Sequence, residues 1–430
     1  MSKLITFLGT GYYERTKYRF EGFEPFETEL FQEAMAQHRP AGVTEMYVFL
    51  TEDARNKIPS ASNGRAPKER SNWAELSLVM SKYTAVAVHD ISIPDGKSVG
   101  EMWEIFEKVG RALFEGDSVY FDITHGFRSL PMMFLLAASY FQATKNIKIL
   151  GLFYGAFDAK TDGIAPVFDL TAFVELLALT AATTQFLETG SVKTLSDMLK
   201  AESPDSVLAA NIRGISDSLD LLRPQELMIN ASELPRNIEV EQQAITNRLP
   251  PVGPLLDQIG KEYGKFGMTE QDIRDNPMGF LKRQHDMILW YRQKQHFVHC
   301  VATAKEWIIT FLCVRYGADS LDFERGRKPI EALPGGGNYH DNKGTVHTSP
   351  YLGQWQADEL KDTINRILSG SKNKKEGGAI LDLSRLRNDL MHVGFSKNPE
   401  SVENIVDRVD TILLEITALA RDAGILEAKL

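Results

Sequence analysis

The chain has 430 residues, 43% hydrophobic and 25% charged, which is the composition of a folded protein long enough for two or three domains, each with its own core. A net charge of −10 argues against unspecific duplex binding, so no stable DNA binding is expected, although a local basic cleft is still allowed. Cys300 and Cys313 stand thirteen apart in apolar helical sequence, which excludes a disulfide framework and a cysteine zinc site; they read as core thiols of a cytoplasmic protein.

Strand and helix signals alternate through the first part of the chain. Strand-like runs at 4–8, 46–50, 85–88, 119–123 and 147–153 are separated by amphipathic segments at about 27–38, 73–83, 99–114 and 131–143. That alternation predicts an α/β domain, a mostly parallel sheet wrapped by helices. The first eight residues turn into a strand followed by glycine rather than a cleavable signal. The most apolar run, 132–140, is too short to span a bilayer, so no membrane association is expected. Residues 153–157 and 165–168 flank a turn rich in Asp, Gly, Lys and Thr and predict an antiparallel hairpin that closes the sheet.

From about Thr171 strand signals disappear, and 174–187, 192–199, 207–222, 278–316, 355–368, 379–393 and 402–420 all read as helices, making the second part all-α. The Pro- and Gly-rich stretch 249–268 reads as a linker or ordered loop, and Pro334-Gly335-Gly336-Gly337-Asn338 opens a loop running to about Pro350. The expected division is 1–173, a connecting region 174–277, and 278–430.

Ligands of an open parallel sheet sit beyond the carboxyl ends of its strands. Two loops fall there. Gly9-Thr10-Gly11-Tyr12-Tyr13 has small residues that let backbone N–H groups approach a phosphate and aromatics suited to stacking on bases. It is not a dinucleotide fingerprint, because no third glycine follows in place. Asp122-Ile123-Thr124-His125-Gly126-Phe127-Arg128-Ser129 gathers hydroxyl, imidazole and guanidinium donors just before a helix opened by Pro131, an arrangement that suits an anion. Alternatively Asp122 and Thr124 cap the loop while Arg128 pairs internally.

Near the end of the chain Arg387-Asn388-Asp389-Leu390-Met391-His392 places an arginine and a histidine on the last turns of a helix marked by Ile380, Leu383, Leu386 and Leu390 and stopped by Gly394. A histidine can move the proton of a ribose 2′-OH or of a leaving 5′-oxygen, and a guanidinium can hold phosphate oxygens as they gain charge, without a metal. Five residues along a helix amount to about 140° of rotation and roughly 7.5 Å of rise, so two copies of the helix across a two-fold axis suit one phosphate better than one copy does. The alternative is a surface arginine and a helix-ending histidine. Arg292 with His299 is a second such pair, Lys372, Lys374, Lys375 and Arg385 add charge near the first, and Asp382 and Asp389 are expected to be ion-pair partners rather than metal ligands.

The Asp-x-Thr-His-Gly-Phe-Arg-Ser signature, the Gly-Thr-Gly-Tyr loop and the later Arg-Asn-x-x-x-His resemble, in this order, the CRISPR-associated CARF–HEPN ribonucleases of type III systems. The resemblance implies a Rossmann-like CARF sensor domain followed by an all-α HEPN nuclease domain. It implies that cyclic oligoadenylate, with the tetra-adenylate favoured, binds across a homodimer or higher even oligomer through Gly9, Thr10, Gly11, Tyr12, Asp122, Thr124, His125, Gly126, Phe127, Arg128 and Ser129. It further implies that Arg387, Asn388 and His392 cleave single-stranded RNA, with no cofactor and no metal. Two other expectations stay open: a sensor whose helical domain is silent, and sensor loops that hydrolyse the ring through Thr10 or His125.

Overall fold

The computed structural model describes residues 2–38, 42–61, 65–125, 130–370, 381–395 and 399–427. The chain divides into two compact units, Met1–Ala181 and Ala182–Leu430.

The first unit runs β1 (Ser2–Leu8), β2 (Thr16–Arg19), β3 (Phe26–Thr28), α1 (Phe31–Gln37), β4 (Val43–Leu50), α2 (Glu52–Asn56), α3 (Asn72–Met80), β5 (Ala87–Ser92), α4 (Val99–Ala112), β6 (Ser118–Asp122), α5 (Leu130–Lys145), β7 (Lys148–Gly155) and β8 (Ile164–Asp169). Its sheet has the order β3-β2-β8-β7-β6-β1-β4-β5. The five strands from β7 to β5 are parallel. Every residue of β1 is buried, as expected of a central parallel strand covered on both faces. Alternate side chains feed two cores: Leu4 and Leu8 pack with Phe31, Met35 and Leu76, whereas Ile5 and Phe7 pack with Ile105, Val109, Phe134 and Phe141.

From β1 the chain winds through β4 and β5 to one side, and through β6 and β7 to the other. The carboxyl ends of β1 and β6 therefore flank the switch point where such sheets open a crevice. The hairpin of β7 and β8 is antiparallel, but it does not close the sheet: β2 runs parallel to β8 and β3 antiparallel to β2. The helix expected from residue 27 starts at Phe31 because 26–28 are taken up in that pairing.

The second unit is built from α6 (Thr171–Thr189), within which the division falls, then α7 (Lys193–Glu202), α8 (Val207–Asp220), α9 (Pro224–Arg248), α10 (Val252–Gly264), α11 (Glu270–Asp275), α12 (Pro277–Gln293), α13 (Phe297–Tyr316) and α14 (Lys328–Glu331). A short pair, β9 (Asn338–His340) and β10 (Val346–Thr348), precedes α15 (Leu352–Ala357), α16 (Lys361–Ser369), α17 (Leu383–Met391) and α18 (Val402–Asp422).

Three expectations are corrected here. Residues 249–268 are no linker: α10 buries Val252, Leu255, Leu256, Ile259 and Tyr263 at helical spacing. Its glycines serve packing, since a Cβ on Gly260 would sit 3.2 Å from Ile238 and one on Gly253 3.1 Å from Thr246, both on α9. The helix read over 278–316 is two helices, broken where Gln295 takes a left-handed φ of 60°. The loop after Pro334 carries the β9–β10 hairpin, so the second part is helical apart from that pair among the described residues.

Among the described helices α13 is long and apolar enough to cross a membrane, but 61% of that stretch is buried, as in the central helix of a folded core. Cys300 and Cys313 both lie on it, fully buried, and burial pushes their thiols up to about 12 and about 11.

Candidate functional site

Two places draw together the residues singled out by chemistry. The first is the β1–β6 switch point. Gly9 follows β1, and its N–H donates to the Tyr13 hydroxyl at 2.8 Å, while the Tyr13 ring stacks on His125 at 4.0 Å between centroids. A Cβ at Gly9 would lie 3.1 Å from that hydroxyl and 3.3 Å from the His125 carbonyl oxygen, so a side chain there would press the two loops apart by a few tenths of an ångström. Asn72, in the first turn of α3, donates to the carbonyls of Gly9 at 2.8 Å and Gly11 at 2.9 Å. Thr10 and Gly11 are left exposed at the edge.

Tyr12 points its hydroxyl to the Ala66 carbonyl at 2.9 Å, with Lys68 4.8 Å and Arg65 5.3 Å from its ring centre. The stacking face expected of this residue is therefore occupied by two cations. Both are partly neutralised, Lys68 by Glu29 and Arg65 by Glu14.

Asp122 does not face the crevice. It is 1% exposed; Thr6 donates to one carboxylate oxygen at 2.6 Å and the Thr124 N–H to the other at 2.8 Å. Gln32 donates in turn to the Thr6 hydroxyl at 3.0 Å. Burial pushes the Asp122 carboxyl up to about 6, against the pull of its hydrogen bonds from Thr6 and Thr124. The Thr124 hydroxyl also accepts the Gly155 N–H at 2.9 Å. Asp122 and Thr124 thus cap and brace the loop, and the open alternative for these two residues is the one observed.

His125 differs. Burial lowers its imidazole to about 4, so it is neutral near pH 7, and its shielded Nε2 has no hydrogen-bond partner among the described residues. Gly126, Phe127, Arg128 and Ser129 lie outside the described residues. Tyr13, one of the two aromatics of the first loop expected to stack on bases, stacks on His125 instead. Asn72 was missed by sequence reasoning, and nothing local marks it.

The second place is the end of α17. Leu383 and Leu386 are fully buried, as their spacing predicts; Ile380, Lys372, Lys374 and Lys375 lie outside the described residues. Asp382 caps the helix, accepting the Arg385 N–H at 3.0 Å from a left-handed conformation. At the other end His392 is the C-cap, followed by Val393 at φ 56° and Gly394 at φ 68°. A β-branched residue in that region is strained, a condition that clusters at functional sites.

Asn388 and His392 are exposed and Arg387 is partly so. Among the described residues Arg387 has no ion pair; it donates to the Asn388 side-chain oxygen at 3.1 Å, so Asn388 aims the guanidinium. Arg292 and His299, the competing pair, are engaged elsewhere. Arg292 forks onto Asp410 at 2.5 and 2.9 Å, and the His299 Nε2 meets the Asp220 carbonyl at 3.2 Å. Among the described residues no group of three or more His, Cys, Asp or Glu is placed to hold a metal ion.

Comparison with known proteins agrees with this layout. Residues 3–158 match the family described as CRISPR system endoribonuclease Csx1, CARF domain, and residues 175–272 match the second domain of the CRISPR-associated protein MJ1674. The CRISPR-associated protein MJ1674 of Methanocaldococcus jannaschii is 30% identical over 228 residues, which is 53% of this chain; the chain covers 34% of that relative's length. A solved structure of Csm6 from Enterococcus italicus, bound to cyclic hexa-2′-fluoro-hexa-dAMP, aligns over 97% of this chain and 95% of its own at 10% identity, with a TM-score of 0.44. Residues 3–158, which hold the switch-point sheet, are thus similar to the CARF domain of the CRISPR-associated Csx1 family.

Proposed function

We propose that the protein is a cytoplasmic endoribonuclease of CRISPR defence, activated by cyclic oligoadenylate and cleaving single-stranded RNA without a metal. The observation that carries the nuclease reading is the end of α17, where Arg387, Asn388 and His392 gather at the surface with no ion pair among the described residues while the rival pair is locked into the fold.

In the proposed chemistry the 2′-OH attacks the adjacent phosphorus, the bond to the 5′-oxygen breaks, and the products carry a 2′,3′-cyclic phosphate and a 5′-OH. His392 moves the protons, Arg387 stabilises the charge gathering on the phosphorane oxygens, and Asn388 holds the guanidinium in place. The helical unit acts here as a HEPN domain.

The activator reading rests on the switch-point crevice and on the unpartnered His125 Nε2. A ring of identical nucleotides is symmetric, and a homodimer gives it two copies of the same loops. Two exposed apolar groups support that assembly: Met132, Leu136 and Tyr140, spaced four apart on α5 directly after the sensor loop, and Met391, Val393 and Phe395 beside the catalytic residues.

The test is cleavage of end-labelled single-stranded RNA with and without cyclic tetra-adenylate, in EDTA. Activator-dependent cleavage in EDTA supports the reading. Ring binding without cleavage would make the protein a sensor with a silent helical unit, and cleavage that needs added magnesium would overturn the proposed chemistry.

A further inference from the structure

The described start of α17 is held from α18. Arg408 is 12% exposed there and donates from one terminal nitrogen to two successive carbonyls, Leu381 at 2.9 Å and Asp382 at 3.0 Å. Its other terminal nitrogen pairs with Glu400. The carbonyls converge because Asp382 is left-handed, with φ 32° and ψ 63°, a conformation a residue with a Cβ holds only at a cost. The same Asp382 caps α17 through its side chain. Below this clamp α17 packs against α13 and α16, and its Leu383 and Leu386 are fully buried. Those contacts are apolar and non-directional, so they set the distance of the helix from its neighbours more firmly than its rotation about its own axis.

We propose that Arg408 is a positioning residue: by holding the left-handed turn at Leu381-Asp382 it fixes the rotation of α17, and with it the direction in which Arg387 and Asn388 leave the helix about one turn further on. A guanidinium is suited to the task, since its rigid fork engages two carbonyls and a carboxylate at once, which a lysine ammonium does with less directional control. Arg408 touches neither substrate nor reacting atoms. The catalytic consequence rests on the ribonuclease reading given above; the hold on α17 does not.

The test compares Arg408→Ala, Arg408→Lys and Glu400→Gln with Arg366→Ala. Arg366 makes a more exposed ion pair with Glu415 at 2.6 Å, between α16 and α18, and has no hydrogen bond or ion pair to α17 among the described residues. In the full-length protein, amide hydrogen exchange over Leu383–Met391 should rise at least tenfold in Arg408→Ala, while Phe297–Tyr316 and Val402–Asp422 stay as in wild type. Arg366→Ala should change none of the three. Unchanged exchange in α17, or a rise spread over the whole helical unit, overturns the proposal.

In activator-saturated RNA cleavage, kcat should fall about tenfold, or about 1.4 kcal/mol, with KM within twofold. Arg408→Lys should recover part of the loss and Glu400→Gln should show a smaller one. Full kcat in Arg408→Ala also overturns the proposal. A wild-type protein that never cleaves RNA refutes the ribonuclease reading alone, because the exchange measurement still decides whether Arg408 holds α17.

Discussion

Replacing Asp122 with Asn tests the electrostatics of the switch point. Burial raises the Asp122 carboxyl from 3.8 to about 6 and lowers the neighbouring His125 imidazole from 6.5 to about 4. At 1.36 kcal/mol per pK unit each shift corresponds to about 3 kcal/mol. Their signs oppose. The raised carboxyl contributes stability that is fully present below pH 3.8 and is lost as pH rises through 6. The lowered imidazole contributes stability that is present above 6.5 and is lost as pH falls through 4. In the wild type the two changes nearly cancel across that window.

The Asn variant keeps the His125 change and deletes the other. Guanidinium unfolding of both proteins at pH 4 and pH 7 should therefore show the variant gaining about 3 kcal/mol on the wild type between the acid and the neutral condition. Thr6 already accepts from Gln32 and loses its acceptor in the variant, which adds an offset, but that offset is the same at both pH values. A difference between the proteins that does not change with pH would refute the assignment of a buried carboxyl titrating near 6.

His392→Ala should abolish RNA cleavage and leave cyclic oligoadenylate binding intact by calorimetry, whereas His299→Ala should keep its cleavage rate and lose about 1 kcal/mol of stability, the worth of one hydrogen bond to the Asp220 carbonyl. Arg128→Ala should weaken the ring by roughly ten- to a hundredfold per symmetric contact, corresponding to about 1.5–3 kcal/mol for a charge-assisted phosphate contact, with cleavage partly recovering at high activator. Wild-type affinity in that variant would remove the second loop from the sensor site. Tyr13→Phe keeps the stack on His125 but strips the acceptor from the Gly9 N–H, so ring affinity should drop about fivefold, for about 1 kcal/mol, while activator-saturated cleavage is unchanged.

The central strands were legible because a parallel strand covered on both faces is mostly apolar, and β1, β4 and β6 each hold a run of that kind, such as 46–50 in β4. β2 and β3 were not, since three or four residues at a sheet edge carry too little pattern to separate from loop. α10 was misread on its prolines and glycines although its apolar spacing is helical. The residues that let it pack closely on α9 are the same ones that suggest a loop. In the site, small and polar residues at strand ends were visible because their chemistry is local. Asp122 looked like one of them, and only Thr6 and Gln32, brought from β1 and α1, turn it inward. Asn72 was invisible for the same reason: it meets Gly9 and Gly11 from more than sixty residues away.

The two cysteines have a practical consequence. Both sulfurs are buried on α13, Cys300 in its first turn and Cys313 in its last, with no exposed surface, and burial disfavours the thiolate that maleimides and iodoacetamides attack. The native protein is thus silent toward thiol reagents while folded. A cysteine introduced at any exposed position can take a fluorophore or spin label without first removing the natural pair, and the onset of native thiol labelling reports directly on opening of the helical core.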